Sequence, residues 1–216
     1  MANWNRTCLG NELKGIVGDI YQGRPIISRD SPIDGGVYLG KNMREAIVVD
    51  SVKFPRINQL YELAKFKSSD YNTFSGQREV NKFKILRSVH NLAREVMPPE
   101  NSDKVDELIE GFGGFNNQKV ALDVFLNNHL GKCRHYALTN AVLLEKFKKD
   151  NFLSGTVSVD RNSLILGGHA WCRYTNSEGR VYVLDGMNGF LGTLEESLDK
   201  PKWDYRRPGE LAHKKI

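Results

Sequence analysis

Two runs of alternating residues, HAWCRY and RVYVLD, constrain this chain more than any other feature. Gly167-Gly168 opens the first run, and TNSEG joins it to the second. Period-two alternation, aromatic and β-branched residues and a glycine-bearing connector predict an antiparallel hairpin. With the connector centred on Ser177, Tyr174 comes opposite Arg180, Trp171 opposite Val183 and His169 opposite Asp185. Directly opposed Cβ atoms on one sheet face lie roughly 4.5–5.5 Å apart. Asp185 can then hold one ring nitrogen of His169, fix its tautomer and leave the other nitrogen for a third group. His169, Trp171 and Arg173 share a face. Cys172 points the other way with Ala170 and Tyr174 and reads as packing.

Cys133 supplies the third group. Leu130-Gly131 breaks a helical pattern, and from Arg134 the residues Leu138, Ala141, Val142, Leu144 and Phe147 recur at helical spacing. Cys133 therefore falls at a helix start, between Lys132 and Arg134. Free backbone N–H groups and flanking cations favour thiolate over thiol there, and the same N–H groups can bind a developing oxyanion. Gln118, Asn127 and Asn128, upstream of the cysteine, are candidate amide donors to that oxyanion, with Gln118 and Asn128 preferred. Trp171, Tyr136 and Phe190 are candidates for an aromatic wall that excludes water. The competing readings are a small buried thiol at Cys133 and a surface pair at His169 and Asp185.

The motifs G-K-C-R-H-Y-A, G-H-A-W-C-R-Y and V-L-D-G-M-N-G together resemble the transglutaminase-like superfamily of papain-like cysteine enzymes. The order Cys133, His169, Asp185 matches, with spacings of 36 and 16 residues, and the resemblance covers residues 80–192. It implies an α+β fold with helices packed on an antiparallel sheet and the nucleophile at the start of a central helix. It also implies an apolar helix before the cysteine, which Val120 to Leu130 would supply. Cys133, His169 and Asp185 would be nucleophile, base and orienting carboxylate of an acyl-transfer reaction on protein carboxamides, glutamine deamidation or transamidation. A cysteine protease of the same fold, an arylamine N-acetyltransferase-like acetyl carrier and a catalytically idle protein-binding domain remain as alternatives. The chain departs from the family where Asp-Pro usually follows the last strand. Here Asp185-Gly186 stands instead.

Around this core, 216 residues divide as a 1–75 extension or first layer, a 76–197 catalytic core and a basic 198–216 tail. In the first part GVYLG and AIVVDSV read as short strands and Ile57 to Phe66 as a helix. Phe74 to Glu95 reads as one helix with Val80 on its apolar face, ended by Met97-Pro98-Pro99. Ser102 would cap a short helix through Ile109, and GFGGFNN is a loop. The tail reads as solvated, with Trp203 and Tyr205 able to pack back. Three cysteines fit a reducing compartment better than a disulfide framework, and Cys8 is isolated. MANWNR carries no apolar signal core, so a cytoplasmic location is expected, or delivery by a signal-independent route. No membrane span is expected. The net charge of +5 favours a protein substrate with an acidic surface. Basic and acidic residues are interleaved without an aromatic–basic motif, so nucleic acid is not an expected partner. His129 and His135 near Cys133 invite a metal reading, but no Cys-x-x-Cys pair supports it, and neither metal nor cofactor is expected.

Overall fold

The computed structural model describes residues 16–17, 19–40, 45–72, 77–112, 119–164, 167–199 and 203–210. The chain is α+β. Three short strands, β1 (Ile16–Val17), β2 (Ile20–Tyr21) and β3 (Arg24–Pro25), form one antiparallel sheet. β4 (Val37–Leu39) and β5 (Ala46–Val48) pair antiparallel, and β5 pairs in parallel with β8 (Lys119–Ala121). The helix α1 (Arg56–Lys67) lies between them in sequence, followed by the ribbon β6 (Ser69–Asn72) and β7 (Gln77–Val80). Then come α2 (Lys82–Val96), α3 (Lys104–Gly111), α4 (Leu122–Asn127) and α5 (Cys133–Lys149). The second half is a four-stranded antiparallel sheet, order β12-β11-β10-β9. Its strands are β9 (Thr156–Leu164), β10 (Gly167–Thr175), β11 (Val181–Asp185) and β12 (Phe190–Thr193), with α6 (Leu194–Asp199) after it.

The core is built around α5. Residues Tyr136, Leu138, Ala141, Val142, Leu143, Leu144 and Phe147 are fully buried, so the helix is wrapped rather than half exposed. A helix apolar on every side needs cover on every side. One side meets Ala170, Cys172 and Tyr174 of β10, and others meet Ile85, Val89 and Leu92 of α2 and Leu60 and Ala64 of α1. Tyr38, Ile47 and Ile57 belong to this same apolar cluster. The stretch before residue 75 thus supplies part of the core that holds the cysteine helix.

Three expectations need correction. The hairpin register is offset by two residues from the expected one. Cys172 pairs with Leu184, Arg173 with Val183, Tyr174 with Tyr182 and Thr175 with Val181. The connector is centred on Glu178, not Ser177. Asn176 accepts backbone hydrogen bonds on its side chain from Glu178 and Arg180, and Gly179 takes φ +82° to close a three-residue loop. An even offset preserves the face, so His169 and Asp185 stay on one side and meet diagonally. Second, Gln77–Val80 is a strand paired with Ser69–Asn72, so the helix expected from Phe74 begins at Lys82. Asn81 ends the ribbon, and its carbonyl accepts from Lys84 to start the helix. Third, Val120 to Leu130 is not one helix. It is a strand, six helical residues and a turn in which His129 takes φ +57°.

The tail expected to be solvated packs onto the outer face of the four-stranded sheet. Tyr205 is 1% exposed and joins Trp171, Val183 and Leu194 in a separate apolar cluster. Arg207 binds both carboxylate oxygens of Asp160 at 2.7 and 2.9 Å, and Arg173 binds Glu210. Among the described residues, no helix is long and apolar enough to cross a membrane.

Candidate active site

Cys133 is the first residue of α5, where the chain leaves an extended Lys132. The Lys132 carbonyl takes the N–H groups of His135 and Tyr136. Those of Cys133 and Arg134 bond to no group among the described residues, which leaves two donors beside the sulfur. The Lys132 N–H is bound by Nδ1 of His135 at 3.0 Å, which fixes the entry into the helix. Behind this turn lies Glu45. Its Oε1 accepts from Nε of Arg134 at 2.5 Å and lies 3.3 Å from Nε2 of His135. Burial and the Arg134 charge, opposed by the Glu45 carboxylate, push the His135 imidazole down to about 4, so it stays neutral. The same partners overcome the burial of Glu45 and hold its carboxyl at about 2.

The sulfur, the imidazole and the carboxylate meet. Nε2 of His169 lies 2.6 Å from Oδ2 of Asp185. Cys133 and His169 lie close enough to shift each other's protonation, and with Nε2 held by Asp185 the ring nitrogen left for the sulfur is Nδ1. Burial opposes ionisation of the thiol but is outweighed by His169, by the Ala170 N–H and by Arg134, so the Cys133 pKa falls. Burial likewise opposes a charge on His169, but Asp185 and Cys133 raise it to about 9. Asp185 is held below the usual carboxylate range, against its burial, by His169, Asn188 and Tyr205. All three shifts favour the charged form: thiolate at Cys133, imidazolium at His169 and carboxylate at Asp185. Cys172, by contrast, is fully buried and its thiol is pushed far up by that burial.

The turn after Asp185 is packed too closely for a side chain at Gly186. A Cβ on Gly186 would stand 2.6 Å from Cδ1 of Tyr136. Tyr136 is itself buried, with its hydroxyl donating to the Met97 carbonyl, so it belongs to the core and not to a substrate wall. Arg94 donates to the Gly186 carbonyl, and Nε2 of His90 lies 3.4 Å from that of Asp185. The helix α2 thereby holds the carboxylate's turn from below.

The other expected site residues fall as follows. Trp171 is 2% exposed and stacks beside His169 at 6.1 Å, so it supports the base from behind instead of facing a substrate. Phe190 is half-buried and lies parallel to Tyr205 at 5.5 Å. Asn128 ends α4 as an exposed residue whose amide donates to the Val124 carbonyl at 2.8 Å. That geometry spends the amide donor on its own helix; Asn127 is also exposed. Gln118 and Cys8 lie outside the described residues. His129 binds the Val96 carbonyl through Nδ1 and does not share a helix face with Cys133.

Sequence reasoning missed four residues around the site. Asn188 and Tyr205 both donate to Oδ2 of Asp185, at 2.8 and 2.7 Å. Tyr38 is buried near enough to Cys133 for the two charges to interact, and the Arg161 guanidinium lies over its ring at 5.7 Å. Arg161 is exposed, and among the described residues no carboxylate pairs with it. Asn188 has a local signal in the turn sequence DGMNG, whereas the others are brought in by tertiary contacts alone. Comparison of the chain with models of known families, with curated proteins and with solved structures finds no match.

Proposed function

We propose that the chain is a transglutaminase-like cysteine enzyme that transfers the acyl group of a protein carboxamide through a thioester on Cys133. The observation that carries this reading is His169, bound at one nitrogen to Asp185 and close enough to the helix-start thiol for each to shift the other's protonation. In the first step the sulfur attacks the carboxamide carbon. The oxyanion forms beside the N–H groups of Cys133 and Arg134. The C–N bond then breaks, and the imidazolium of His169 gives its proton to the departing ammonia or amine. In the second step His169 takes a proton from the incoming water or amine, which attacks the thioester and frees the sulfur. Water gives deamidation of glutamine, an amine gives transamidation, and a peptide carbonyl in the same seat gives proteolysis. The exposed Arg161 beside Tyr38, together with the net charge of +5, favours acidic residues near the target carboxamide.

Mass spectrometry of a protein extract treated with the wild type or with Cys133→Ala tests the reading. Deamidation adds about one dalton to glutamine, transamidation gives crosslinks with loss of ammonia, and proteolysis gives new termini, all outcomes of one thioester route. Each should vanish with Cys133→Ala. Modification that persists with Cys133→Ala would remove the cysteine from the chemistry.

A further inference from the structure

The segment 203–210 crosses the outer face of the sheet and reaches the base and its carboxylate from the solvent side. Trp203 lies against the His169 ring at 4.8 Å between centroids and 51° between planes. Tyr205 is wedged edge-on against Trp171 at 5.2 Å and parallel to Phe190 at 5.5 Å, so its ring has no freedom to leave. Its hydroxyl donates to Oδ2 of Asp185, the same oxygen that His169 and Asn188 share. The segment is clipped outside the site by Arg207, which binds Asp160, Ser158 and Asp30.

We propose that Tyr205 is a positioning residue for the triad, acting through Asp185 to set how strongly His169 supports the thiolate. The physical argument is one of orientation. Three donors on Oδ2 fix the carboxylate, and through it the imidazole ring, in one pose toward the sulfur. Without the phenol the carboxylate is free to turn, the imidazolium is held less firmly beside the sulfur, and the thiolate loses part of its counter-charge. The phenol also keeps water off Oδ2, where a mobile water would allow the ring to turn.

The inference rests on the thiol chemistry proposed above, and the test keeps the two apart. Iodoacetamide labelling of Cys133 is followed by mass spectrometry from pH 4 to 9 on the full-length folded protein. Wild-type labelling that is fast below neutral pH supports the activated thiol; labelling no faster than that of cysteine in an unstructured peptide overturns the thiol reading itself. Tyr205→Phe keeps the ring and its packing and removes only the hydroxyl. It should move the acid limb to higher pH and slow labelling on that limb about tenfold, the scale of one lost hydrogen bond to an ionised group. A role in packing alone predicts a lower melting temperature or none, with an unchanged pH profile, and that result overturns the positioning role. Arg207→Gln unclips the segment without touching the triad and should move the acid limb in the same direction. An unmoved limb in Arg207→Gln, in a protein whose segment is released by limited proteolysis, would also overturn it.

Discussion

At the scale of single residues, the imidazole carries the pH dependence. His169, raised to about 9, keeps its proton through neutrality, so the thiolate partner persists until pH rises through about 9. Asp185→Asn removes the charge that raises it. The acid limb of Cys133 labelling should then move to higher pH, and labelling at pH 6 should fall about 100-fold, the equivalent of roughly two pKa units in the thiol. Labelling across the same pH range checks this, and an unmoved acid limb would dissociate Asp185 from the imidazole. Gly186→Ala is the second residue-level expectation. The new methyl group would press on Tyr136, itself fixed by the Met97 carbonyl, at a cost of about 1–3 kcal/mol. Denaturant unfolding measures the loss, and wild-type stability would show that the turn can retreat.

At the scale of elements, the helix start and the hairpin differ in how legible they are. Cys133 at a helix start follows from a glycine break and a helical repeat, both local. The pairing of His169 with Asp185 is half legible. The face follows from period two, which survives the offset register, while the opposed partner depends on the loop conformation that Asn176 and Gly179 choose. Glu45 is illegible, because its partners Arg134 and His135 lie far along the chain and no periodicity connects them. Yet it carries much of the element's stability. Glu45→Ala leaves Arg134 buried with no counter-charge at the start of α5. Removing one member of a buried ion pair costs about 3–5 kcal/mol, and such a loss should appear in denaturant unfolding. A variant as stable as the wild type would mean that Arg134 finds solvent.

At the scale of the whole molecule, buried groups with lowered pKa values set an acid limit, His135 and Glu45 foremost, with His90 and Asp185 shifted the same way. His135 is held neutral, its pKa lowered to about 4 from an ordinary 6.5, and Glu45 is held ionised, lowered to about 2 from 4.5. Both lowered values contribute stability that is full above the ordinary value and lost as pH falls through the folded one. Unfolding free energy should therefore decline from pH 6.5 toward 4 through His135 and from 4.5 toward 2 through Glu45. On the alkaline side His169 is raised and Cys133 lowered, so their proton balances oppose each other and the profile should be flatter. Denaturant unfolding at a series of pH values tests this, and a flat profile between 6.5 and 4 would contradict the neutral His135. The α+β class was legible from alternation and helical repeat. The joining of the stretch before residue 75 to the α5 core was not, because parallel pairing of β5 with β8 spans residues with no shared pattern.

The order of synthesis gives the segment 203–210 a further meaning. Cys133, His169 and Asp185 are all made before Trp203, which follows Asp185 by 18 positions. At about 5–20 residues per second, that gap lasts on the order of one to a few seconds. During it, the nascent chain holds Cys133, His169 and Asp185 but lacks the Tyr205 phenol that bonds the carboxylate. The surroundings of Asp185 are thus complete only once the segment that follows the sheet has been made. A released chain that ends just before Trp203 should label at Cys133 more slowly on the acid limb than one that runs past Glu210.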